Sequence, residues 1–248
     1  MDESDGVLGQ SLSFSGEASP ENLRDPRLTG ETSTLPAAVL WDMDGTLVDT
    51  EPYWIECEFA LAERHGGTWS RELGLAVIGL DLIDSARYMR EHMGIDLTPR
   101  EIIEELLVGV VHRIEQEMPW RPGAPELLAA LNANDVPCAL VTMSWRRFVR
   151  PVLRALPEGS FDVVVCGDEV SHGKPHPEPY LRAAELLGCA PGETLAIEDS
   201  HTGATSAEAA GCRVLVVPSQ VEVQRKDGWV LRETLVGLEP DGLAALHA

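Results

Sequence analysis

Five short stretches of this chain are apolar almost throughout, where a half-exposed strand would alternate. They are AAVLW (37–41), PCALVT (137–142), FDVVVC (161–166), TLAIE (194–198) and RVLVV (213–217). A strand with one wet face alternates polar and apolar residues, whereas a strand covered on both faces does not. Helical patterns stand between these runs. APELLAALNAND (124–135) sets Leu127, Leu128 and Leu131 on one face, and PYLRAAELLG (179–188) and HTGATSAEAAG (201–211) each run to a glycine, a common helix stop. Alternating helices and doubly buried strands predict an α/β fold with a parallel sheet and right-handed crossovers.

One interval breaks this rhythm. Residues 51–118 carry helical patterns and no convincing strand. Ile55, Phe59 and Ala62 keep 3.6 spacing, GLDLIDSARYMREHMG (79–94) makes another helix, and the pairs Ile102/Ile103, Leu106/Leu107 and Val110/Val111 lead to Ile114. A helical block of this length after the first strand predicts an inserted domain. Pro119, Pro122 and Gly123 mark the return to the sheet. The core is then expected over 36–50 and 119–248. Residues 1–35, rich in Ser, Gly, Glu, Asp and Pro, are expected to be a disordered acidic tail.

Charge narrows the partners. A net charge of −22 disfavours nonspecific binding to nucleic acid or to anionic membranes. No apolar stretch approaches the ~18 residues that span a bilayer. The acidic N-terminus lacks the basic start and apolar centre of a secretory signal, so a cytoplasmic location is expected; the sequence leaves the oligomeric state open, with a monomer favoured. Cys57, Cys138, Cys166, Cys189 and Cys212 are scattered and form no CxxC, which argues against a disulfide framework or a zinc site. Only two of the 19 basic residues are lysine, Lys174 and Lys226. Where this chain uses lysine, a compact ammonium is a candidate requirement.

In open α/β sheets chemistry gathers at the carboxyl ends of the strands. After the first expected strand stand Asp42 and Asp44, in DMDGT. Thr142, in LVTMS, follows the second. Lys174, in GKPHPEPY, follows the third. Glu198 and Asp199, in IEDS, follow the fourth. Paired carboxylates at a buried strand end repel and are costly unless a cation offsets them. Any one of these residues alone is weak; the ordered set is specific.

With these four motifs in order, residues 36 to about 240 resemble the haloacid dehalogenase superfamily, in its capped subfamily of phosphatases and β-phosphoglucomutase-like enzymes. The resemblance implies a Rossmann-like parallel sheet with an inserted all-helical cap over 51–118. It implies Asp42 as the nucleophile that forms an aspartyl phosphate and Asp44 as general acid, then base. Thr142 and the backbone N–H groups after Asp42 and Thr142, that of Met143 included, would hold the phosphate. Lys174 would neutralise the nucleophile and a phosphate oxygen. Mg²⁺ would sit on Asp42, Asp44 (through its carbonyl) and Asp199, with Glu198 direct or through water.

The same resemblance separates the chemistries. Dehalogenases of the superfamily lack the second aspartate, because their leaving group needs no proton. Phosphonate-cleaving relatives use a cap lysine, and residues 51–118 contain none. Transporting relatives need membrane helices. Hexose-phosphate mutases place a histidine ten residues after the second aspartate and use a cap lysine; here that position is Trp54. DTEPYW instead resembles phosphatases of small sugar phosphates. The expectation is Mg²⁺-dependent hydrolysis of a small phosphorylated metabolite. The alternatives are a mutase and a non-enzymatic phospho-acceptor module. Asp49 and Glu51 are assigned structural roles, and His172, His176 and His201 shape loops. Asp81 and Arg87 are weak contact candidates on an exposed helix face.

Overall fold

The computed structural model describes residues 35–78 and 80–245. Apart from Leu35, the tail expected over residues 1–35 lies outside them. The five apolar runs form β1 (Ala38–Trp41), β2 (Cys138–Val141), β3 (Val163–Val165), β4 (Thr194–Glu198) and β5 (Arg213–Val216). A sixth strand, β6 (Trp229–Leu231), was not expected, being three residues long behind the polar turn at 225–228. All are parallel, in the order β3-β2-β1-β4-β5-β6.

The residues explain why these strands do not alternate. Val39, Trp41, Leu140, Leu195 and Ile197 face one side, and Ala38, Leu40, Ala139, Val141 and Ala196 face the other. Helices α5 (Ala124–Ala133) and α6 (Arg146–Arg154) cover the first side with Leu127, Leu128, Leu131, Phe148, Val149 and Val152. On the second side lie α7 (Glu178–Leu187) and α8 (His201–Ala209), which present Tyr180, Ala183, Ala204 and Ala207. Alanine meets alanine there, so α8 lies close to the sheet. Burying each Leu, Ile or Val contributes about 1.5–3 kcal/mol. The short α9 (Pro240–Ala245) closes the described chain.

Between β1 and α5 the chain forms α1 (Glu51–Arg64), α2 (Arg71–Val77), α3 (Leu82–Met93) and α4 (Pro99–Gln116). Helix α4 starts from a capping box, Thr98 with Glu101, and packs against α1 and α3 through Ile102, Ile103, Leu106, Leu107 and Val110. In α1 the expected face is rotated. Phe59 is exposed, while Cys57, Glu58, Leu61 and Ala62 are buried. An apolar pattern passes over Glu58, yet Trp69 Nε1 donates to its carboxylate at 2.8 Å and holds it inside. The connectors leading into and out of these helices run side by side: Asp49 N–H donates to Pro119 O (2.7 Å), and Arg121 N–H to Leu47 O (3.0 Å).

Candidate active site

The backbone N–H of Asp42 donates to Ile197 O of β4 (3.0 Å). The residue thus stands at the carboxyl end of β1, where the chain departs first to β2 on one side and later returns to β4 on the other. Leu47 and Val48 N–H groups then fold back onto Met43 O, at 2.9 and 3.0 Å. Gly45 makes the turn possible, with φ of +85°. A side chain there would also place Cβ 1.9 Å from Asp199 Oδ2.

Lys174 comes from the loop after β3. Its Nζ donates to Asp42 Oδ1 (2.7 Å), Glu198 Oε1 (2.6 Å) and the Val141 carbonyl (2.9 Å), so its three N–H donors are engaged. Burial alone would lower the Lys174 ammonium, but Asp42 and Glu198 overcome it and hold it above its usual value. Burial pushes the Asp42 carboxyl up to about 7 against the pull of Lys174, with Glu198 and Asp44 adding repulsion. Tyr180 also donates to Glu198 Oε1, and Ser200 Oγ donates to its Oε2 (3.2 Å). Glu198 is fully buried, and a Cβ on Gly203 would lie 2.0 Å from each of its oxygens. Glycine at 203 is the condition for Glu198 to sit beneath α8.

Asp44 points to a different set of partners. Thr50 Oγ1 (2.6 Å), Ser144 Oγ (2.7 Å) and, more weakly, Thr142 Oγ1 (3.4 Å) donate to it. Burial raises its carboxyl, and the three hydroxyls offset part of the rise. Two aspartates two residues apart are therefore held differently: Asp42 against an ammonium, Asp44 among neutral hydroxyls.

One carboxylate oxygen of this cluster is buried without a partner. Asp42 Oδ2 has no hydrogen bond among the described residues. Asp42, Glu198 and Asp199 can each bring an oxygen within 4.8 Å of the others. Burial, then Asp42 and Glu198, raise the Asp199 carboxyl well above its usual value. Two buried carboxylates and the half-buried Asp199 facing one ammonium are short of positive charge. An all-oxygen donor set with one free carboxylate oxygen suits a small hard divalent cation.

These groups floor a cavity of about 270 Å³, on the scale of a small metabolite. Asp42, Asp44, Thr142, Met143, Lys174 and Asp199 line it, while Glu198 is sealed below. The structure therefore brings all seven sequence-predicted residues together. Ser144, Thr50 and Tyr180 were missed. Ser144 lies within LVTMS itself; the other two bear ordinary hydroxyls whose roles depend on the fold. Glu51, assigned a structural role, lines the cavity with Trp54 and Glu58. Burial raises both acids, Glu51 to about 8 with Glu58 and Asp44 contributing, and Glu58 to about 7.

His201, assigned a loop-shaping role, lines the cavity beside Ser200, with its ring on Thr205 Oγ1 (3.0 Å); the remaining candidates fall outside it. Asp81 caps α3, accepting from Ile83 and Asp84 N–H, and Arg87 pairs with Asp84 in solvent. Asp49 accepts from the Gln220 side chain. His172, His176 and Glu178 cluster on the lysine loop; their side chains bond within it, and Ser206 Oγ of α8 donates to the His176 carbonyl (2.6 Å).

The family profile described as haloacid dehalogenase-like hydrolase matches residues 39–217. A phosphorylated carbohydrates phosphatase of Thermotoga maritima is 33% identical over 183 residues, covering 70% of this chain and 81% of that protein. Hexitol phosphatase B of Escherichia coli is 30% identical, covering 79% and 89%. A probable pseudouridine-5'-phosphatase of Drosophila melanogaster is 35% identical, covering 75% and 84%. Among solved structures, CbbY of Rhodobacter sphaeroides with phosphate superposes with a TM-score of 0.76 at 27% identity, over 84% of this chain and 99% of that one.

Proposed function

The chain belongs to the haloacid dehalogenase-like hydrolase family, and we propose that it hydrolyses a small phosphomonoester, a sugar phosphate by class, through an aspartyl phosphate on Asp42. The observation that carries this reading is the unequal setting of the two aspartates. Asp42 keeps one oxygen on Lys174 and the other without a partner among the described residues, at the cavity floor. Asp44 stands beside it in a hydroxyl cage that suits a group passing between acid and base. The relatives named as phosphatases support the same class.

In the first step an Asp42 oxygen attacks phosphorus and the ester P–O bond breaks. The departing alkoxide takes the Asp44 proton. In the second step Asp44, now a carboxylate, accepts a proton from water. The water oxygen attacks phosphorus, and Asp42 and inorganic phosphate are released. Thr142 Oγ1 and the backbone N–H groups after Asp42 and Thr142, including that of Met143, donate to the phosphoryl oxygens. Lys174 screens the charge between Asp42 and the incoming phosphate. Glu198 and Tyr180 keep Lys174 aimed.

Asp42, Asp199 and the Asp44 carbonyl would hold Mg²⁺, with Glu198 behind them. When bound, it supplies positive charge that offsets the carboxylates and the phosphoryl oxygens. Residues 51–118 are assigned as a cap domain that excludes water and selects the leaving group, on a core of 36–50 and 119–248. The paired connectors at 47–49 and 119–121 are its hinge.

The test is release of phosphate from p-nitrophenyl phosphate and from a panel of sugar phosphates, with Mg²⁺ and then with EDTA. Steady multiple turnover is expected with Mg²⁺ and almost none with EDTA. Full activity in Asp42→Asn would refute the mechanism. Transfer to a second sugar hydroxyl, with no net phosphate release, would make the enzyme a mutase.

A further inference from the structure

The wall of the cavity opposite the phosphate floor comes from the helices between β1 and α5. Its surface is apolar: Trp54, Val77, Leu82, Met89, Ile103 and Leu106 face inward. Two charged side chains interrupt it, Glu51 and Glu58, and both are acids. Among the described residues, no arginine lines the cavity and Lys174 is its only lysine, in a chain with 19 basic residues. Lys174 is fully committed to Asp42, Glu198 and Val141 O. His201 and Glu222, from the core side, also line the cavity, but the helical wall itself offers no positive charge, whichever protonation state Glu51 and Glu58 hold.

We infer that this cavity selects phosphate monoesters whose alcohol carries no second anion, and that Glu51 and Glu58 with the apolar wall are what set this selectivity. The inference rests on the phosphatase reading above. A second phosphate or a carboxylate on the leaving group would be brought, desolvated and unpaired, beside two acids. A neutral alcohol sets its apolar face on the wall and its hydroxyl hydrogens toward carboxylate oxygens. An amine-bearing alcohol meets carboxyl acceptors, and complementary charge wherever either acid is ionised. Rejection of this kind works by repulsion as much as by attraction to the right substrate.

A ring-matched series tests it: glucose 1-phosphate, glucosamine 1-phosphate, glucuronic acid 1-phosphate and glucose 1,6-bisphosphate. Each is measured with Mg²⁺ as a competitive inhibitor of p-nitrophenyl phosphate hydrolysis, and as a substrate where it turns over. The two esters with a second anion are expected to bind on the order of 10²-fold or more weaker than the neutral and amino esters. Leu82→Arg, which puts a cation on the half-buried wall, is expected to bring the glucuronic acid ester at least about tenfold closer to the neutral one, with the fold checked by circular dichroism. Equal or tighter binding of the anionic esters would overturn the inference while p-nitrophenyl phosphate is still hydrolysed. No hydrolysis of p-nitrophenyl phosphate would overturn the phosphatase reading, and the inference with it.

Discussion

Asp42 and Asp44 are chemically identical and two residues apart, so their division of labour comes from their neighbours. Asp44→Asn keeps the shape and removes the proton. With an alkyl phosphate its kcat/KM is expected to fall by about 10²–10⁴-fold. With p-nitrophenyl phosphate, whose leaving group departs without a proton, the loss in the first step should be far smaller. Burst kinetics on both substrates would check this, and equal losses would count against Asp44 as the acid. Lys174 joins structure to chemistry. Lys174→Met would leave Asp42 and Glu198 buried without their cation, at a cost on the order of 3–5 kcal/mol, measurable by urea unfolding in EDTA. Unchanged stability would mean that the pair relaxes into water. Asp42, Asp44, Thr142, Lys174, Glu198 and Asp199 were all legible in the sequence because each ends or follows an apolar run. Thr50 and Tyr180 were not, because a hydroxyl gives no pattern until the fold aims it.

At the scale of elements, the site depends on helices that begin where strands end. Helix α8 starts with Ser200 Oγ accepting the Gly203 N–H (3.1 Å). Ser200→Ala is expected to cost about 1 kcal/mol. Gly203→Ala is a stronger perturbation, because its Cβ would overlap the Glu198 carboxylate. It should cost about 1–3 kcal/mol as overpacking and lower turnover by displacing the acid that aims Lys174. A thermal melt alongside kcat separates the two effects, and a fully active Gly203→Ala protein would show that Glu198 has room to move. The helices α5, α7 and α8 were readable from leucine and alanine spacing. Helix α6 was not expected: its sequence RRFVRPVLR is dominated by arginine, and only the sheet face shows why Phe148, Val149 and Val152 fall together. Strand β6 is too short to carry a pattern of its own.

At the scale of the molecule, the buried acids of the cavity wall link folding to pH. Glu58 is nearly fully buried and its carboxyl is raised to about 7 from an ordinary 4.5. The native state therefore binds a proton that the unfolded chain has released between about pH 4.5 and 7, and stability falls as pH rises through that window. The contribution is on the order of 3 kcal/mol. Glu58→Gln keeps an acceptor for Trp69 and should flatten the stability profile across this range; denaturant unfolding at pH 5 and pH 7.5 measures it, and an unchanged slope would place the charge elsewhere. Sequence alone determined the parallel sheet and the ordered acids, hydroxyl and lysine at its edge. Those follow from local rules: doubly buried strands are apolar throughout, and chemistry stands where strands stop. Only the tertiary structure decided which carboxylate keeps an open oxygen, which one is caged by hydroxyls, and that Glu51 and Glu58 turn inward. These outcomes depend on contacts between residues far apart in the chain, such as Lys174 with Asp42 and Ser144 with Asp44, and no local pattern of polarity records such a meeting.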